Sequence, residues 1–162
     1  DWEKGVWCNQ FDLGTIPKDA VPFMVSFEDF LKTYNPKYIE TEVTVFSKKH
    51  GYAGTADAFL VIDGKTYVCD YKTGKTVYPE AALQMSAYRY GDFLGREDGT
   101  EDPVPKVHGA IVLHIRPDGY EVVPVNSGPD TFDTFLSALD IFRWQRIDGA
   151  HAMGEGWSKN DS

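Results

Sequence analysis

The stretch VCDYKTGKTV, residues 68–77, offers two kinds of chemistry. Gly74-Lys75-Thr76 has the form of the end of a phosphate-binding loop. Asp70-Tyr71-Lys72 places an acid and a lysine on one face of a strand, because side chains two apart point the same way. The loop reading fails on spacing. A Walker-type loop ending at Gly74-Lys75-Thr76 needs glycine at position 69, which is Cys69, and the same test at Gly64-Lys65-Thr66 meets Phe59. An acid–lysine pair alone is common on solvated strands, so its meaning depends on what faces it.

What faces it is set by a turn. In GTADAFLVIDGKTYVCDYKTG, residues 54–74, two β-rich runs flank Asp63-Gly64, the dipeptide favoured in two-residue type I′ hairpins. With those two residues as the loop, Ile62 faces Lys65, Asp57 faces Asp70 and Thr55 faces Lys72. Asp57, Asp70 and Lys72 then share a face with Phe59, Val61 and Val68, unless a bulge shifts the register. Facing carboxylates have Cβ atoms about 5 Å apart and repel. Three arrangements relieve this: a raised pKa with a shared proton, a divalent cation between the oxygens, or exposure to water. The apolar neighbours favour the cation over exposure. Lys72 could then orient a water molecule or stabilise charge on a phosphate oxygen, a set suited to attack on a phosphodiester. Glu42, on the preceding strand, either adds a carboxylate or is a solvated strand residue.

The elements that position these groups follow from periodicity. SFEDFLKTY (26–34) reads as a helix with Ser26 as N-cap, ended by Pro36. YIETEVTVFS (38–47) reads as a strand with Glu40 and Glu42 on one face and Thr41, Val43 and Val45 on the other. Residues 78–94 read as a helix with Pro79 in its first turn and Gln84 and Tyr88 four apart on one face. Residues 95–105 form an acidic loop and 108–125 a second hairpin. Residues 130–147 read as an amphipathic helix with Phe132, Phe135, Leu136, Leu139 and Phe142 on one side. Residues 1–26 are turn-rich without a period, and 155–162 form a loose tail. Alternating strands and helices predict an α/β fold, a central mixed sheet flanked by helices, in one domain over 1–162.

These residues resemble the PD-(D/E)xK nucleases, and within them the RecB-like exonuclease branch. The resemblance runs from Glu42 through GTAD (54–57) and CDYKTGK (69–75) to QMSAY (84–88), which is similar to the branch's Gln-x-x-x-Tyr motif. It implies a restriction-endonuclease-like fold and a Mg²⁺- or Mn²⁺-dependent deoxyribonuclease, an exonuclease of recombination, repair or phage DNA processing. By resemblance Asp57 and Asp70 are metal ligands with the Tyr71 carbonyl, Lys72 is the catalytic lysine, and Gln84 and Tyr88 position DNA, single- or double-stranded. Ala56 stands where the motif's name has proline. The family's histidine ligand comes from an upstream helix, which is not recognisable before Asp57, and His50 is a poor substitute. The chain begins at Asp1 without methionine, so an upstream segment or a partner is expected to complete the site. CRISPR-associated relatives carry an iron–sulfur cluster on four cysteines. This chain has none after Cys69, so no such cluster is expected.

The bulk numbers narrow the partners. A hydrophobic share of 42% and an aromatic share of 14% are those of a globular chain. A net charge of −9 argues against binding polyanions over the whole surface, but not against a local basic patch. Lys48, Lys49 and His50, with Lys75 and Arg89, are the candidates for contact with the phosphate backbone. Cys8 and Cys69 are too few for a disulfide framework, and Cys69 reads as a buried thiol. With no apolar run of membrane-spanning length, the expected setting is cytoplasmic, bacterial or phage-encoded by resemblance. His108 and His114 share strand parity without acid neighbours and read as structural. Two rivals stand beside the nuclease: a non-catalytic nucleic-acid-binding or assembly module that retains the fold, and a hydrolase of small phosphoesters.

Overall fold

The computed structural model describes residues 17–157. Helix α1 (Val21–Tyr34) leads into strands β1 (Lys37–Ser47), β2 (Tyr52–Ile62) and β3 (Lys65–Lys72). Helix α2 (Glu80–Arg89), the short strands β4 (Phe93–Gly95) and β5 (Glu101–Asp102), the hairpin β6 (Gly109–Arg116) and β7 (Gly119–Val125), and helix α3 (Pro129–Ile147) follow. The strands form one seven-stranded sheet in the order β5-β4-β1-β2-β3-β6-β7. Its neighbours are antiparallel except β3 and β6, which run parallel because the chain crosses over through α2 between them. The protein is α/β with a mixed sheet flanked by helices, the layout expected for a restriction-endonuclease-like fold.

Each face of the sheet has its own core. Phe30 of α1 packs with Leu60, Cys69, Ile111 and Leu113 on one side. On the other, Met85 and Tyr88 of α2 pack with Val45, Phe59, Val68 and Leu94. Phe30, Phe59, Leu60 and Met85 are fully buried, each contributing about 1.5–3 kcal/mol of hydrophobic free energy. Cys69 is a buried free thiol, as expected, and burial pushes its pKa up. Among the described residues no helix is long and apolar enough to cross a membrane.

Several boundaries differ from expectation. Helix α1 starts at Val21, led by Pro22 in its first turn. Ser26 is therefore no N-cap: it is buried in mid-helix and its hydroxyl donates to the Arg116 carbonyl at 2.6 Å. Helix α2 ends at Arg89, and Pro79 caps it from outside. The chain beyond passes so close to β1 that a Cβ on Gly91 would lie 2.1 Å from Val45 Cγ1. It then enters β4 instead of continuing as helix to 94. The acidic loop is tied down at β5 and by Arg96, which grips both Glu40 oxygens at 2.6 and 2.8 Å and Asp102 at 2.6 Å. In α3, Phe132 and Phe135 pack on Tyr52, and Arg143 donates to the His50 and Gly51 carbonyls at 2.6 and 2.7 Å, but Phe142 is 53% exposed. Expectations for residues 1–16, Cys8 included, and for 158–162 fall outside the described residues.

Candidate functional site

Asp63 and Gly64 both have positive φ, +48° and +74°, the signature of the type I′ turn. The register runs as expected from Ile62↔Lys65 to Ala58↔Cys69. There the ladder stops, one step short of the acids. Ala56 belongs to the α2-side core and Ala58 to the α1-side core, so the alternation breaks at Asp57. On β1, Glu42 sits between the partners of Ala56 and Ala58 with a left-handed φ of +48°, a conformation that costs a non-glycine residue roughly 1–2 kcal/mol. The simple alternation expected from the turn therefore does not extend through Asp57 to Ala56. Glu40 and Glu42 lose the common face expected for them.

The break re-aims the Asp57 carboxylate, whose Oδ2 accepts the Tyr71 backbone N–H at 2.7 Å. In an extended strand the N–H and C=O of one residue point to the same edge. The Tyr71 carbonyl is therefore directed to the β2 side of β3, where Asp57 lies. The Tyr71 ring goes to the opposite face of the sheet, with its hydroxyl 3.0 Å from that of Tyr38.

Asp70 is only 3% exposed. Lys72 Nζ lies 2.7 Å from its Oδ2 as an ion pair. The approach is poorly aimed for a hydrogen bond, and no other donor among the described residues serves that oxygen. Burial pushes the Asp70 carboxyl up from the ordinary carboxylate range, Lys72 pulls it back, and the Asp57 carboxylate, close enough to share a hydrogen bond, pushes it up again. Relief of the acid pair by exposure to water is thereby ruled out for Asp70. Lys72, 39% exposed, reaches from this buried acid to solvent.

Helix α2 closes the site from above. Gln84 Nε2 donates to the Tyr88 hydroxyl at 2.8 Å, which leaves the Tyr88 proton free to be donated elsewhere. Burial raises the Tyr88 pKa first, and the charges of Asp70 and Asp57 raise it further, so its hydroxyl is within electrostatic reach of both acids. Gly54 of β2 makes room for that ring: a Cβ there would lie 3.0 Å from Tyr88 Cε1.

Five of the expected residues thus come together: Asp57, Asp70, Lys72, Gln84 and Tyr88. Glu42 is level with Asp57 in register but exposed. Lys48 is exposed, pairs with Glu101 and stands over the Phe93 ring. Lys49 and Lys75 are exposed, and Arg89 donates to Ser127 Oγ at 3.2 Å. His50 lies against Phe132, away from the acids. Among the described residues no three His, Cys, Asp or Glu side chains form a ligand cluster.

His114 was read only as structural and without acid neighbours, yet it stands beside the site. It pairs with Lys72 across the parallel β3–β6 ladder and is 4% exposed. Its Nε2 is 2.7 Å from the Gly74 carbonyl and its Nδ1 3.8 Å from Glu121. It pins the loop that follows Lys72. His108 is structural as read, accepting the Thr66 amide at 3.0 Å.

No protein-family model and no curated protein sequence matches the chain. Among solved structures it is similar to the crystal structure of SSO0001, at 20% identity and a TM-score of 0.45, over 89% of this chain and 67% of that one. No site residue is carried over from that likeness.

Proposed function

We propose that this chain is a Mg²⁺- or Mn²⁺-dependent deoxyribonuclease that hydrolyses phosphodiester bonds from DNA ends. The observation that carries the reading is a buried Asp70 carboxylate beside Asp57, with an oxygen that among the described residues meets only the Lys72 ammonium, as an ion pair. Two carboxylates and a carbonyl are hard oxygen donors, and Mg²⁺ is commonly held by one or two carboxylates with water completing its shell. Asp57, Asp70 and the Tyr71 carbonyl would hold the ion, which when bound supplies an activated water and polarises a phosphate oxygen.

The chain's own groups do the rest. Lys72 Nζ, at the solvent end of the buried pair, donates to a phosphate oxygen as charge builds there. The Tyr88 proton, freed by the Gln84 hydrogen bond, is a second donor to the same phosphate or its neighbour. Asp57 fixes β3 through the Tyr71 amide, so Asp70 and Lys72 keep their spacing.

Release of label from end-labelled single- or double-stranded DNA with Mg²⁺ or Mn²⁺, and none in EDTA, is the expected result. Release that persists in EDTA overturns it. The meeting of only two acids, with Glu42 left exposed, favours the second reading, a non-catalytic nucleic-acid-binding or assembly module. Metal-independent DNA binding without cleavage would establish that one.

Gly54→Ala supplies a finer check. The added methyl presses the Tyr88 ring by a few tenths of an ångström without touching an acid. Misplacement of positioning groups on this scale costs on the order of 10-fold in rate. The cleavage rate is expected to fall by that much while the thermal melt stays near wild type.

A further inference from the structure

A groove of about 460 Å³ opens where α2 ends, between residues 89–92 and the segment 103–107. That volume falls within the range of small-ligand pockets, about 300–1,000 Å³. We propose that it is a subsite for one nucleotide of a single strand, taking the sugar–phosphate at Arg89 and Lys106 and the base against Tyr90, Pro103 and Pro105. The assignment rests on the nuclease reading and deepens it.

Four observations support it. The groove adjoins the site along one helix: Arg89 and Tyr90 directly follow Tyr88, whose hydroxyl is in reach of the acids. It is flanked by two cations without carboxylate partners among the described residues. Arg89 bonds only the neutral Ser127 hydroxyl and stands 5.6 Å over the Tyr90 ring, and Lys106 is exposed. The carboxylate in its lining, Asp92, already has one oxygen engaged by the protein. It is drawn into the turn after β1, where it accepts the Lys49 amide at 3.0 Å and the Ser47 hydroxyl at 3.2 Å, and these bonds hold its pKa down. Finally, Tyr90 packs against Phe132, ring centres 4.9 Å apart, and with the two proline rings of the lining it offers apolar ring surface of the kind on which an unstacked base can rest. In a chain of net charge −9, such a local pair of cations is how a phosphate can be held without a basic surface.

The test is binding, measured in EDTA by fluorescence anisotropy of labelled oligothymidylate over a range of salt. Arg89→Ala/Lys106→Ala is expected to bind about 10-fold more weakly, with a salt slope shallower by about 1.4, since each lost single-strand phosphate contact removes about 0.7. Lys106→Ala alone alters no packing and should remove half of that slope. It covers the case in which Arg89→Ala loosens the contact with Ser127. Unchanged affinity and slope in both variants, or no binding by wild type, overturns the subsite. Loss on a duplex equal to that on the single strand overturns its assignment to an unstacked base. Because nothing is cleaved in EDTA, a failure of the nuclease reading is seen in the cleavage assay alone and leaves this result standing.

Discussion

Replacing Lys72 by alanine is expected to lower metal-dependent cleavage of end-labelled DNA by roughly 100- to 1,000-fold, the cost of losing one preorganised donor to developing negative charge. The fold should survive, since the lysine stem is partly exposed and only its tip meets the buried acid. Lys72 has two separable jobs. It is the main influence that pulls the Asp70 carboxyl down against burial, and it points a positive charge to where a phosphate would sit. Without it, Asp70 would hold its proton to higher pH. If keeping Asp70 ionised were its only job, raising the pH would restore cleavage in Lys72→Ala as Asp70 lost its proton. The geometry predicts no such rescue, because the ammonium reaches past the acid into solvent. A pH–rate profile of the variant that climbs to the wild-type plateau would reduce Lys72 to a guardian of Asp70. Wild-type-like cleavage at all pH values would remove it from the site.

The reach of the sequence is clearest at the first hairpin. Asp63-Gly64 dictates its own turn, because both residues accept the positive φ that type I′ demands, and the turn then fixes every pairing down to Ala58↔Cys69. What it could not fix is the last step. The break at Asp57 lies level with Glu42 on another strand, in a left-handed conformation that no glycine or asparagine announces. Its effect is to turn Asp57 from a facing partner into a bond to the Tyr71 amide. The acids still meet, by a route that period-two counting misses.

The same contrast runs through the rest. Gln84 and Tyr88 were legible because helical spacing alone sets them side by side, and their hydrogen bond is the result. His114 was not, because its nearness to Lys72 depends on β3 and β6 pairing in parallel across forty-odd intervening residues, which local pattern does not encode. Lys48 read as a free cation until the acidic loop folded back and supplied Glu101. In α3 the apolar stripe was real, but a stripe does not say how much of the helix is covered, and Phe142 remains exposed.

Asp70→Asn should separate the binding of metal from the stability of the fold, because its two effects have opposite sign. The folded state raises the Asp70 pKa, chiefly by burial, so folding favours the protonated acid. The stability this contributes is fully present below the unfolded carboxylate range, and it is lost as pH rises through the folded value. At neutral pH the ionised Asp70 is therefore a cost to the metal-free fold, offset only in part by Lys72. Asparagine removes that cost and can turn its oxygen to Lys72 Nζ, now 2.7 Å from Oδ2. The metal-free variant is expected to melt above wild type at neutral pH and to show a flatter loss of stability between acid and neutral. With Mg²⁺ or Mn²⁺ the order reverses. At about 100 times the dissociation constant a bound ion adds about 2.7 kcal/mol, or about 5–10 °C in Tm for a domain of this size, to wild type and nothing to the variant. Melting curves of both proteins, with each ion and with EDTA, give the whole comparison. An Asp70→Asn protein that gains as much from metal as wild type would place the ion away from Asp70, and one that melts lower without metal would mean that the Asp70–Lys72 pair outweighs the cost of burying its charge.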